Sequence, residues 1–159
     1  MTPIKYAIQD YYPEDLAHCF GCGRNNQLGH GFRTGWSGDE TLTIYKPEPE
    51  HTAIPGFVYG GLLASLIDCH GTGSASLALH RKQGNEPEDS IEPPRFVTAS
   101  LEVKYLKPTP QNVELLTIGQ VEEVHSKKFN VHTEVYAHED LVAKGLVVAA
   151  VMPEGFGSS

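Results

Sequence analysis

A chain of 159 residues, 40% of them hydrophobic and 20% charged, has the length and apolar content for one domain with its own core, and too little for two. Its formal charge of -8 sets an acidic surface against phosphate backbones, so nucleic acid is excluded as an expected partner. Met1 to Asp10 lacks the charged-then-apolar pattern of a signal peptide, and no run reaches the roughly 18 apolar residues of a membrane span; a cytoplasmic protein with no membrane partner is expected.

Taken in chain order, residues 1–17 mix polar and aromatic side chains around Pro13 and read as an arm or short helix. A glycine-rich loop follows from Gly21 to Gly31. Residues 1–31 are thus an N-terminal arm and loop, 32–152 the core, and 153–159 a tail of one domain. The cysteines number 3, an odd set that matches a reducing compartment and not a disulfide framework. His18, Cys19, Cys22 and His30 invite a zinc reading, but Cys-x2-Cys needs a second pair at a regular spacing. No metal is expected, and Cys19 and Cys22 are read as packing a turn.

Phe32 to Tyr45, interrupted by Gly35 and Gly38, reads as a strand pair or one bulged strand that ends at Pro47 and Pro49. From Val58 to about Lys82 the chain is apolar around nearly its whole circumference, the pattern of a buried helix. Gly71 and Gly73 inside it would each cost about 1 kcal/mol relative to alanine, which implies close packing against another backbone. Residues 83–94, rich in Glu, Pro and Asp, form a loop. The period then changes to two. Leu101, Val103 and Tyr105 alternate with Glu102, Lys104 and Leu106, 113–124 continues less cleanly, Phe129 to Val135 alternates again, and Leu141 to Met152 is a last, more apolar strand. The breaks at 107–112, 125–128 and 138–140 suit hairpin-like links, giving a meander of four antiparallel strands after the helix. One helix cannot cover both faces of such a sheet, so the sheet should curl around it and leave a face or edge for a second subunit.

The order of strand, loop, Gly-Gly helix with an internal acid, then four strands resembles the hotdog fold. Within that superfamily, Pro55 to Asp68 is similar to the thioesterase motif that usually reads His-Gly-Gly with an acid eight residues beyond the first glycine. Cys19-Phe20-Gly21-Cys22-Gly23 with Asn26 and Gly29 resembles the N-terminal segment of small acyl-CoA thioesterases of the phenylacetate-pathway type, and Val103 to Pro108 matches their strand after the helix. The resemblance spans about residues 18–152. It implies an α+β hotdog domain, one long central helix wrapped by a curved antiparallel sheet of five to six strands, that hydrolyses an acyl-CoA thioester to free acid and CoA. CoA is then part of the substrate and no separate cofactor is needed. The partners implied are the acyl-CoA and further copies of the chain, as a homodimer or a dimer of dimers (a homotetramer).

The motif has a physical reading of its own. Gly60 and Gly61 open the helix, where unsatisfied N–H groups and the positive dipole end point outward and no side chain blocks a thioester carbonyl, the makings of an oxyanion hole. Asp68 lies about 12 Å further along the same helix at 1.5 Å per residue. One carbonyl cannot touch both, so two helices antiparallel across a two-fold axis would pair the glycines of one subunit with Asp68 of the other. Asp68 is a general base for water or a nucleophile toward the thioester; the structural alternative is a helix-interior acid paired with an arginine or capping a neighbouring loop. Thr72, one turn on, suits a hydrogen bond to that carboxylate, to the attacking water, or back to the Asp68 carbonyl. Tyr59 stands where the family commonly has His and offers only a hydroxyl, while His51 precedes the helix and suits the thioester carbonyl. Phe57, Val58 and Leu62 are expected at the acyl pocket. Arg95, Lys104 and Lys107, with Arg81, Lys82 and Lys127, are the candidate cations for the CoA phosphates. The rival readings are an acyl-thioester hydratase or dehydratase, to whose entrance His and Pro-Gly turn His51 and Pro55 to Val58 are similar, and a non-catalytic acyl-CoA-binding protein.

Overall fold

The computed structural model describes residues 4–156, so the first three residues of the expected arm and the last three of the expected tail lie outside the described residues. Ile8–Tyr11 and Glu14–Leu16 are short 3-10 turns, and an irregular loop leads from them to β1 (Thr34–Ser37) and β2 (Glu40–Tyr45). The helix α1 (Gly60–Lys82) is followed by β3 (Phe96–Tyr105), β4 (Leu115–His125), β5 (Lys128–Ala137) and β6 (Asp140–Val151). One 6-stranded sheet in the order β1-β2-β4-β5-β6-β3, antiparallel throughout, packs against the single long helix. This is the expected α+β hotdog arrangement.

The strand order corrects one expectation. β4, β5 and β6 form a meander, but β3 pairs with β6 and not with β4. The link after β3 is a crossover from the edge of the sheet to a place beside β2, and not a hairpin. The chain before α1 holds it there: the Thr109 carbonyl accepts the Val58 N–H at 2.9 Å, and Pro110 bridges to Phe57. Two edges remain, a four-residue β1 and a ten-residue β3.

Burial of α1 follows from its composition. Leu62, Leu66, Ile67 and Leu77 are fully buried, and His80, Arg81 and Lys82 place cationic or protonatable groups in the last turn, where the carbonyl end of the dipole favours them. The helix also carries a polar seam. His70 is fully buried, its Nδ1 2.8 Å from Thr43 Oγ1 and its Nε2 3.2 Å from Thr41 Oγ1. Thr41 Oγ1 meets Ser74 Oγ at 2.6 Å, and Thr43 Oγ1 meets Thr34 Oγ1 at 2.8 Å. Gln9 closes the seam by accepting the Thr34 N–H at 2.7 Å and donating to Thr34 Oγ1 at 3.0 Å. Burial pushes His70 down to about 3, so it is neutral and its two nitrogens divide into one donor and one acceptor. The seam joins the N-terminal arm, β1, β2 and α1 with every member hydrogen-bonded, as a buried polar group requires.

Gly71 and Gly73 are tightly packed, but against side chains and not against backbone. A Cβ on Gly71 would stand 2.5 Å from Val147 Cβ on β6, and one on Gly73 would stand 2.5 Å from Gln9 Nε2. Gly71→Ala would gain about 1 kcal/mol in helix propensity, whereas forcing a methyl into a packed core costs about 1–3 kcal/mol. Val147 Cβ is anchored to a central strand and cannot rotate away, so overpacking is expected to win, and urea denaturation of Gly71→Ala should show a lower midpoint with an unchanged slope. A midpoint above wild type would mean that the helix moves off β6 at little cost.

Candidate active site

Asp68 is half-buried on α1, and its partner comes from β3: Thr98 Oγ1 donates to Asp68 Oδ1 at 2.5 Å. Burial pushes the Asp68 carboxyl above the usual carboxylate range; the Thr98 hydroxyl opposes this, Cys19 adds to it and Arg95 pulls the other way. Among the described residues Asp68 makes no salt bridge. A half-buried carboxylate with one hydroxyl donor retains lone pairs for a water proton or an electrophile.

Gly60 and Gly61 open α1, with Tyr59 as N-cap and no side-chain cap on the helix. The Leu62 N–H reaches the Tyr59 carbonyl at 3.2 Å. No acceptor among the described residues takes the N–H of Gly60 or Gly61, which leaves both free at the positive end of the helix dipole. Two tyrosines flank them. Tyr105 of β3 donates to the Gly60 carbonyl at 2.8 Å, and the Tyr59 ring occupies the space where a Gly61 side chain would stand. A depression beside the pair is lined by Gly60, Leu63, Tyr105, Leu106, Lys107 and Thr109.

Thr98 and Tyr105 both reach the helix although they are an odd number of residues apart, which a regular strand forbids. The register of β3 on β6 shifts between Thr98 and Ser100. Before the shift the inward residues are buried Phe96 and Thr98; after it they are Val103, which packs on the core, and Tyr105. A bulge that re-aims side chains thus lets one strand serve both Asp68 and the Gly60 end.

The remaining expected residues divide. Thr72 is buried and donates back to the Cys69 carbonyl at 3.3 Å, so it does not serve the carboxylate. His51 Nδ1 accepts the Glu48 N–H at 3.0 Å, and its ring stands 4.9 Å from His30 and 6.4 Å from Tyr59, in a run of rings that includes Phe20, Phe32 and Tyr45. Val58 and Leu62 are core residues, while Phe57 is exposed. Arg95 lies at the Asp68 end, half-buried, donating to the Phe96 carbonyl at 2.7 Å with its guanidinium 4.7 Å from the Tyr12 ring. Lys104 and Lys107 are exposed at the Gly60 end, Lys107 paired with Asp140 at 3.0 Å. The other three candidate cations lie apart from both ends: Arg81 pairs with Glu86 and Lys82 with Glu123 beyond the C-terminal half of α1, and Lys127 is in the β4–β5 turn. Thr98 was not visible to sequence reasoning, because only the bulge turns it inward.

A family model described as the thioesterase superfamily matches residues 55–144, from the turn before α1 into β6. The chain belongs to the thioesterase superfamily. Among solved structures, a thioesterase superfamily protein from Shewanella loihica is 48% identical over 78% of this chain and 93% of that one, with a TM-score of 0.64. A Streptococcus mutans protein bound to acetyl CoA is 18% identical over 80% of this chain and 94% of that one, with a TM-score of 0.62. A phenylacetic acid degradation-related protein from Ralstonia eutropha is 19% identical over 77% and 86%, with a TM-score of 0.60. The last two likenesses show the fold alone. No curated protein matches the chain. Among the described residues, no helix is long and apolar enough to cross a membrane. The superfamily and the free helix N-terminus agree on thioester hydrolysis as the general chemistry.

Proposed function

We propose that the protein hydrolyses an acyl-CoA thioester at a site shared by two subunits. The observation that carries this reading is the pairing of both halves of the motif with a single uncovered strand. Thr98 of β3 touches Asp68, and Tyr105 of β3 touches Gly60. β3 is a ten-residue edge strand carrying the exposed apolar residues Leu101, Tyr105 and, just beyond it, Leu106. A long apolar edge of this kind is normally covered. Antiparallel pairing of β3 with its own copy, centred between Leu101 and Glu102, sets Thr98 of one subunit opposite Tyr105 of the other. Asp68 of one subunit then faces Gly60 and Gly61 of its partner, giving two equivalent sites.

In this reading the thioester carbonyl lies against the Gly60 and Gly61 N–H groups of one subunit, which stabilise the oxyanion as it forms. Thr98 holds one oxygen of Asp68, and the other takes a proton from water as the water oxygen attacks the carbonyl carbon. Collapse of the tetrahedral intermediate breaks the carbon–sulfur bond and passes the proton to the departing thiolate, leaving acid and CoA. Lys107, at the depression by Gly60, and Lys104, exposed on the neighbouring part of β3, suit the CoA phosphates. The acetyl CoA bound by the Streptococcus mutans relative supports the choice of thioester.

Free thiol release from short, medium, long and aromatic acyl-CoAs tests the class. Asp68→Asn should lower kcat on the order of 10²–10⁴-fold with little change in substrate affinity, and Thr98→Val should cost about tenfold, near the worth of one hydrogen bond to a charged group, while Thr98→Ser recovers the rate. Hydration of crotonyl-CoA with no thiol released from any acyl-CoA would overturn the assignment. Single turnover in heavy-oxygen water should label only the product acid, whereas label in Asp68 would make it the nucleophile. Leu101→Asp should give a folded monomer by light scattering with turnover lost; a fully active monomer would sink the shared site.

A further inference from the structure

One side-chain cluster takes no part in the proposed hydrolysis. Cys19 and Cys22, from the N-terminal loop, converge with Cys69 of α1, their three Sγ atoms lying within 4.8 Å of one another. All three are free thiols. We propose that Cys19, Cys22 and Cys69 bind a thiophilic divalent cation of the zinc class.

The spacing supports this. Zinc–thiolate bonds are about 2.3 Å long, and tetrahedral geometry then separates neighbouring sulfurs by about 3.8 Å; Cys19 Sγ and Cys69 Sγ are 3.8 Å apart. A disulfide would need about 2.05 Å. The loop is also shaped for a ligand pair. Cys19-Phe20-Gly21-Cys22-Gly23 folds back so that the Gly23 N–H donates to the Cys19 carbonyl at 2.7 Å, and a side chain on Gly21 would collide with Cys69 Sγ. The turn therefore rests directly on the helix sulfur. A bound cation displaces the thiol protons and satisfies all three sulfurs together.

Cys22 and Cys69 are buried and Cys19 is half-buried, so the fourth position opens on the Cys19 side. No fourth His, Cys, Asp or Glu joins the cluster among the described residues, and water or another small donor completes the tetrahedron. Soft thiolate ligands select zinc over magnesium or calcium. The site clamps the N-terminal loop to the middle of α1 and is independent of the hydrolytic reading.

The test uses the full chain, reduced and stripped with a chelator. Zinc titrated against a chromophoric chelator should bind at one equivalent per chain, and cobalt should give thiolate charge-transfer absorption. Zinc should raise the melting temperature as a ligand of the native state alone does. Cys19→Ser, at the most exposed ligand, should weaken zinc at least tenfold with the far-ultraviolet circular dichroism unchanged. Failure of the reduced wild-type chain to compete for zinc would overturn the proposal, as would zinc binding that Cys19→Ser leaves intact, or cobalt bound without thiolate absorption. Because wild-type binding is read directly, a variant that fails to fold leaves the test decisive.

Discussion

One turn of α1, from Ile67 to Gly71, touches almost every other part of the molecule, and each residue type in it answers to what it faces. Successive helix positions point about 100° apart, so five in a row sweep the full circle. Ile67 packs where a side chain on Gly145 of β6 would stand, Asp68 meets Thr98 of β3, and Cys69 lies under the loop at Gly21. His70 is hydrogen-bonded to Thr41 and Thr43 of β2 and fills the space over Gly119 of β4, while Gly71 yields its own space to Val147 of β6. A helix turn packed in this way leaves only a narrow, partly exposed face, through Ser65 and Asp68, on which a charge could rest. The carboxylate is tolerated because it points at the edge strand, the part of the surrounding sheet with nothing beyond it.

That edge explains why the bulge in β3 matters more than its size suggests. A regular strand would send Thr98 and Tyr105 to opposite faces, leaving either Asp68 without a donor or the Gly60 end without its tyrosine. The displaced residue costs one position of ladder pairing and gains a strand whose two ends both serve the helix. The crossover after β3 has a related origin. By using residues 106–114 to return beside β2, the chain leaves β3 outermost and tucks Thr109 and Pro110 under the turn before α1, so the glycine pair is supported from below.

How much of this could be read in advance varies with the range of the interactions involved. Helix α1 was legible to within two residues because its apolar pattern is local and long, and the glycines at its start and the acid eight positions on carry a spacing that few other folds require. The strands were legible from alternation, but their order was not, since a break such as 107–112 has the length of either a hairpin link or a crossover. Thr98 was hidden by the bulge, which leaves no mark in Phe-Val-Thr-Ala-Ser. Thr72 offered three hydrogen-bonding partners, and a local carbonyl took it, that of Cys69 and not that of Asp68. Cys69 was invisible as a partner of Cys19 because the contact spans fifty positions and nothing between them announces the loop's return to the helix.

The loop that makes this contact is held by scattered ties and not by a strand ladder. Residues 17–32 belong to no strand ladder; they are tied by a few internal backbone bonds, Gly23 to Cys19, Asn25 to Ala17, His30 to Phe20 and Phe32 to Gly21. Those bonds shape the loop without fixing it to the rest of the chain. Attachment comes from Phe32 and Cys22 in the core, the sulfur contact on α1, Arg24 and Asn25 reaching Gln9 and Glu14, and the His30 ring against Tyr45 and His51. Cys69 and Asp68 share a rigid helical backbone, so whatever fixes the loop on Cys69 also fixes the orientation in which α1 presents the carboxylate to Thr98. Of the loop's attachments the three sulfurs are the one that meets α1 beside Asp68, so their state bears on the helix turn that carries the carboxylate.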